Sequence, residues 1–183
     1  MTPSLQGLSI FLIGMMGSGK STVGKALAHR LNYRFFDSDI LIERVAQQTI
    51  MEIFQSQGEA AFRAIETQVL RELAACLRSV IATGGGVVLE QTNWSHLRQG
   101  LIVWLDAPVD LLVQRLQPDQ SRPLLQEGDL KSKLSTLLDQ RHTLYREADL
   151  IISLQADLTP EQIAELIVEK IPSVLKSRAE DWR

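Results

Sequence analysis

The chain has 183 residues, 45% hydrophobic and 22% charged, with a formal net charge of -3. That length suits one ordinary α/β domain with its own core. The mild acidic balance argues against a general nucleic-acid binder or a membrane-surface protein, both of which carry net positive charge. Aromatic content of 5% leaves little for stacking on single strands. The single cysteine, Cys76, excludes an internal disulfide and points to a reducing compartment. The N-terminus has no basic segment, and no apolar run approaches the roughly 18 residues needed to span a bilayer. A soluble cytoplasmic protein, with neither nucleic acid nor membrane as partner, is the expectation.

Apolar runs alternate with amphipathic stretches along the chain. Leu8–Ile13 is short, β-rich and ends at Gly14, which predicts a buried strand. Apolar residues at helical spacing predict a helix from Ser21 to Leu31. Tyr33–Phe36 predicts a second strand that stops at Asp37, and Ser38–Gln48 a helix. Thr49, followed by Glu52, opens another helix with a capping box. Gly58 breaks it, and a longer helix follows from about Glu59 to Leu77. Ser79–Thr83 is a third strand, ending in Gly84-Gly85-Gly86. Leu101–Leu105 is a fourth, ending at Asp106. Pro108–Leu116 is helical, Gln117–Gly128 irregular, and Asp129–Arg146 a long helix. Leu150–Leu154 is a fifth strand, and Thr159-Pro160-Glu161-Gln162 opens a last helix with proline in its first turn. Strands separated by helices build βαβ units, hence a parallel sheet covered on both faces. Ligands bind such sheets at the carboxyl ends of the strands. Here those ends carry Gly14, Asp37, Gly84 and Asp106.

The segment Gly14-Met15-Met16-Gly17-Ser18-Gly19-Lys20-Ser21 satisfies G-x-x-x-x-G-K-[ST] directly after a strand and at the start of a helix. Its glycines let backbone N–H groups turn towards phosphate oxygens, and the helix adds its positive end. Lys20 reaches the β- and γ-phosphates in such a loop, and the Ser21 hydroxyl ligates Mg²⁺. Asp37-Ser38-Asp39 follows strand two, and carboxylates two residues apart in extended chain face the same way. They suit a metal and a hydroxyl acceptor. Equally, Ser38 or Asp39 caps the next helix. Asp106 competes for the metal, because an aspartate after an apolar strand is what a Walker-B position looks like; it also sits where it would cap the helix after Pro108. The glycine triplet is either a tight turn packed on another backbone or a bare loop that approaches an acceptor. Arg63 and Arg141 read as solvated helix-face charges or as forks for a carboxylate. Arg115 and Arg122 bracket a loop that suits a closing lid. The histidines His29, His96 and His142 share no metal-ligand spacing. Cys76 reads as a small core residue on an amphipathic helix.

Taken in order, these motifs resemble one family, the shikimate kinases. They are Gly14-Met-Met-Gly-Ser-Gly-Lys-Ser-Thr-Val-Gly24, Asp37-Ser-Asp39, Phe62-Arg63 with Glu66, Gly84-Gly-Gly86, Arg122-Pro-Leu-Leu125, and Arg141 with Tyr145 and Ala148-Asp149. The resemblance runs from about Leu8 to Ile171. It implies a three-layer P-loop kinase fold of the nucleoside-monophosphate-kinase type, with a five-stranded parallel sheet flanked by helices. Residues 1–183 would form one domain, with 37–77 as the acceptor-binding part and 115–128 as the lid loop. The implied reaction moves the γ-phosphoryl of ATP to the 3-hydroxyl of shikimate. By the same resemblance, Gly17, Ser18, Gly19, Lys20, Ser21, Thr22, Arg115 and Arg122 hold ATP. Asp39, Arg63, Gly85, Gly86 and Arg141 hold shikimate, while Ser21 and Asp37 hold Mg²⁺. Lys20, Asp39 and Arg122 carry the chemistry, in a monomer. Two departures from the family pattern are Thr143, where many members have proline, and a lid segment, Gln117–Ser121, without the usual glycines. The alternatives are another small-molecule kinase of gluconate type on the same fold, or a nucleotide-binding regulatory module derived from it.

Overall fold

Every residue of the run Ile10–Ile13 is buried, as a strand covered on both faces requires. It is β1 of a five-stranded sheet in the order β2-β3-β1-β4-β5. The other strands are Arg34–Asp37 (β2), Ser79–Ala82 (β3), Leu101–Asp106 (β4) and Leu150–Ser153 (β5). All four pairings are parallel. The computed structural model describes residues 5, 7–117 and 129–180. Its helices are Lys20–Leu31 (α1), Ser38–Ala46 (α2), Ile50–Ala74 (α3), Gln91–Leu97 (α4), Val109–Leu116 (α5), Leu130–Tyr145 (α6) and Pro160–Glu180 (α7). Parallel neighbours need crossovers, and the helices supply them.

The predicted elements are present, with shifted ends. β1 starts at Ile10 rather than Leu8, and β2 and β4 each extend by one residue to include Asp37 and Asp106. Helix α2 stops at Ala46, because Gln47 takes a left-handed conformation (φ 53) as its C-cap. Gly58 (φ 81, ψ 173) interrupts α3 as expected, although one helix continues on either side of it. A Cβ there would meet nothing, so the backbone angle is what calls for glycine. The helix ends at Ala74 rather than Leu77, which corrects the reading of Cys76. That residue lies in the turn after α3 and is half-buried, and its carbonyl accepts a 2.6 Å bond from Ser9 Oγ. A short 3-10 turn, Val87–Leu89, and α4 fill a stretch to which the sequence assigned no element. Polar side chains fix it: Asn93 Nδ2 donates to Val87 O and Trp94 Nε1 to Val88 O.

Close packing sets the layer spacing beside the site. A Cβ on Gly24 of α1 would sit 2.6 Å from the Phe35 ring of β2 and 3.3 Å from Leu12 of β1, so glycine lets the helix lie on the sheet. The core is continuous through all five strands, from Phe11 and Ile81 to Ile152 and Ile167.

Candidate active site

The carboxyl ends of β1 to β4 gather the chemistry that the motifs suggested. After β1 the chain turns through Gly14 (φ 139), Gly17 (φ 79) and Gly19 (φ 90), angles that an L side chain rarely adopts. Gly14 also meets the Leu105 carbonyl so closely that a Cβ would stand 2.7 Å from it. Gly19 precedes α1 without any side-chain cap, so the first N–H groups of the helix are open to an anion. Lys20 is nearly buried and folds over this loop, its Nζ donating to Gly14 O and Met15 O at 2.8 Å each. Ser18 is fully buried, whereas Thr22 is exposed on the first turn of α1. From the last turn of α5, Arg115 Nη1 donates to Ser18 O at 3.2 Å and Gly17 O at 3.4 Å. Leu116 packs against Gly17. Arg122 lies outside the described residues.

The two candidate metal residues have different surroundings. Ser21 Oγ donates to Asp37 Oδ2 at 2.5 Å. Asp37 Oδ1 accepts from the N–H groups of Asp39 and Ile40 and is the N-cap of α2. Capping and metal binding are therefore compatible on one carboxylate, and the cap is Asp37, not Ser38 or Asp39. Ser38 instead accepts a 3.1 Å bond from Gly84 N and ties β2 to the glycine triplet. Asp106 does not cap α5, whose N-cap is Pro108 with no side-chain bond. Burial pushes the Asp106 carboxyl up, with His142 pulling the other way. Ser21 and Asp37 present hard oxygens at the mouth of the phosphate loop, which fits Mg²⁺.

Beyond the loop, three elements converge on Gly84–Gly86. A Cβ on Gly84 would come within 2.7 Å of Glu66 Oε1 and 3.0 Å of Asp39 Oδ1; one on Gly86 would strike the Arg63 guanidinium at 2.5 Å. These glycines leave room for two carboxylates and an arginine. Arg63 bonds Glu66 through Nη1 at 2.7 Å and Glu59 through Nη2 at 3.1 Å. Burial works against its charge, but the two glutamates outweigh it and raise its pKa further. Glu66 is only 1% exposed, and its Oε1 has no hydrogen-bond partner. Burial raises its pKa against the opposing pull of Arg63. Arg141, 5% exposed, is no solvated helix charge: its Nη1 donates to Gly85 O at 3.3 Å. Tyr145, fully buried, donates to the same carbonyl at 2.5 Å. Gly85 itself lies against the phosphate loop, where a Cβ would be 3.2 Å from Met16 N and 3.5 Å from Gly14 O.

Asp39, Arg63, Gly85, Gly86 and Arg141 are thus brought together, and Lys20, Ser21, Asp37 and Arg115 form the adjoining half. The residue-level reading gave Glu66 and Tyr145 no role, and Ser38 only that of a helix cap. The i, i+3 spacing of Arg63 and Glu66 was the one available signal for the first. Asp149, part of the same motif set, serves the fold: its Oδ2 accepts from Ile102 N at 2.7 Å.

Residues 16–172 match the family model described as shikimate kinase. A shikimate kinase of Rippkaea orientalis is 62% identical over 176 residues, covering 96% of this chain and 94% of that protein. One of Nostoc sp. is 52% identical, covering 98% and 99%. Among solved structures, shikimate kinase from Acinetobacter baumannii in complex with shikimate superposes with a TM-score of 0.88 at 42% identity, over 92% of this chain and 95% of that one. A gluconokinase from Sinorhizobium meliloti shares the fold at 19% identity and a TM-score of 0.59, over 94% and 97%.

Proposed function

The chain belongs to the shikimate kinase family, and we infer that this cleft transfers the γ-phosphoryl of ATP to the 3-hydroxyl of shikimate. One juxtaposition carries the reading. Two arginines, the largely covered Arg63 at Gly86 and the buried Arg141 at Gly85, flank a glycine loop whose backbone lies against the phosphate loop. A hydroxylated carboxylate held by those guanidiniums stands beside the phosphoryl donor.

The roles follow from the chemistry of each group. Gly17, Ser18, Gly19 and the first turn of α1 with Thr22 receive the phosphates through backbone N–H groups. Lys20 exchanges its two carbonyl partners for phosphate oxygens, and Arg115 keeps the loop in shape from behind. Ser21 and Asp37 would hold Mg²⁺, which when bound neutralises charge on the transferring phosphoryl. Arg63 and Arg141 clamp the acceptor carboxylate, and Gly85 and Gly86 let it approach the backbone. Asp39 accepts a hydrogen bond from the ring hydroxyls and orients the attacking one. Arg122 belongs to this reading as the lid arginine that meets the spreading charge; of the proposed lid, 115–128, Arg115 and Leu116 are the end of α5 rather than loop, and 118–128 lie outside the described residues.

Positioning and charge stabilisation are what phosphoryl transfer asks of a protein. Residues 37–77 supply Asp39 and Arg63 and act as the acceptor-binding part of a single domain, 1–183. No described helix is long and apolar enough to cross a membrane, and a cytoplasmic location suits an enzyme with these substrates. A coupled ADP-release assay with Mg-ATP, run with and without shikimate, tests the activity. Gluconate and nucleoside monophosphates serve as competing acceptors. ADP release that does not depend on shikimate would overturn it.

A further inference from the structure

The two halves of the cleft are fastened together at one buried point. Tyr145, at the end of α6, donates its hydroxyl proton to Gly85 O at 2.5 Å, and the Tyr145 hydroxyl oxygen lies 3.7 Å from Met15 Sδ. Met15 belongs to the phosphate loop and Gly85 to the glycine loop. Between them there is no side chain to act as a spacer, because Gly85 has none and its Cα faces the backbone of Met15 and Met16. The Tyr145 ring is fully buried and stacks on Trp104 of β4, with centroids 5.6 Å apart. The ring is therefore anchored on the sheet, and only its hydroxyl reaches the loops. Arg141, one turn earlier on α6, shares the Gly85 carbonyl.

We propose that Tyr145 is a positioning residue that sets the distance and register between the acceptor loop and the phosphate loop. It touches neither substrate. Its hydroxyl stops the Gly85 carbonyl from turning, and so keeps the attacking hydroxyl in line with the phosphoryl group. This inference rests on the functional reading above, in which Gly85 belongs to the acceptor site. Burial lifts the phenol pKa to about 12, so it remains a proton donor throughout any ordinary assay range.

Such a role has a kinetic signature distinct from substrate binding. A displacement of about 1 Å between reacting partners costs as much as 100-fold in rate. The test uses full-length Tyr145→Phe, which removes one oxygen and leaves the ring. Steady-state kinetics with Mg-ATP and shikimate are combined with amide hydrogen exchange over residues 14–17 and 84–88. The expected result is a kcat lower by about 10- to 100-fold, with both KM values within about threefold of wild type. Exchange should rise in both loops together. Met15→Leu keeps the phenol–carbonyl bond and removes the sulfur contact; it should lower kcat by about threefold in the same pattern.

An unchanged kcat in Tyr145→Phe, or a rise in the shikimate KM alone, overturns the proposal. Faster exchange confined to 84–88 overturns it as well. Should Tyr145→Phe fail to fold, Met15→Leu decides by the same readouts. Should the wild type release no shikimate-dependent ADP, the acceptor reading falls by itself, and the paired exchange of the two loops still decides whether Tyr145 joins them.

Discussion

Ser21 and Asp37 are sixteen residues apart in sequence, yet the serine hydroxyl donates to the aspartate carboxylate at 2.5 Å across the mouth of the phosphate loop. The other oxygen of Asp37 caps α2. The two functions separate by substitution. Asparagine caps helices about as well as aspartate, so Asp37→Asn should fold with near wild-type stability while losing the charge that a divalent cation needs. The Mg²⁺ concentration for half-maximal activity should rise by about tenfold or more. Asp37→Ala should show the same metal defect and also lose about 1 kcal/mol of stability with the cap. A Mg²⁺ dependence unchanged in Asp37→Asn would remove Asp37 from the metal site.

Asp39 faces Gly84 from the acceptor side, and the hypothetical Cβ distance of 3.0 Å shows how little space separates them. Its proposed role is on the reacting hydroxyl. Asp39→Asn should therefore lower kcat by about 100-fold or more, since general-base or orienting groups contribute on that scale. Calorimetric ATP affinity should stay as in the wild type. Near-normal turnover in that variant would take Asp39 out of the chemistry.

Arg63 and Glu66 form a pair with side-chain exposures of 11% and 1%. Removing the arginine should do two things. The shikimate KM should rise by about tenfold or more with the ATP KM unchanged, as expected when one fork of a carboxylate clamp is lost. Stability should fall by up to about 3–5 kcal/mol, the cost of stranding a buried charge. Because burial already favours the neutral form of Glu66, proton uptake should soften that loss at low pH. The double variant Arg63→Ala with Glu66→Gln should recover part of the stability and none of the shikimate affinity. Recovery of both would mean that the arginine only neutralises Glu66.

The sequence revealed the alternation of strands and helices, and with it the parallel sheet and the end where ligands bind. The phosphate loop was equally legible, because eight neighbouring residues carry the whole signal. Arg141 was not. It stands among Gln140, His142 and Thr143, a polar stretch that suggests solvent, and only the approach of the glycine loop buries it. The pattern that betrays it is the buried series Leu134, Arg141 and Tyr145, in which an arginine occupies a core position. The stretch from Val87 to Leu97 was opaque for another reason. Its short elements are fixed by the Asn93 and Trp94 side chains bonding backwards to Val87 and Val88, not by apolar period. The different surroundings of Asp37 and Asp106 were not legible in the sequence either. Both end a strand, and the Ser21 hydroxyl bonds Asp37 although the strand of Asp106 is the one next to β1.

Glu66 gives the acceptor site a pH signature whose sign can be worked out. Burial raises its pKa above the ordinary value of 4.5, against the lowering effect of Arg63. In the window between the two values the native protein binds a proton that the unfolded chain has released, so stability falls as pH rises. The contribution is fully present below pH 4.5 and is lost as pH climbs through the raised native pKa. One proton sets the steepest slope at about 1.4 kcal/mol per pH unit. Glu66→Gln cannot ionise and should lack this component while keeping every other titration. Urea unfolding of both proteins from pH 4.5 to 8 at fixed ionic strength isolates it as a difference. The stability of the wild type relative to Glu66→Gln should decline across that range. If it grows instead, the ion pair with Arg63 outweighs burial, and Glu66 enters the site as a full negative charge.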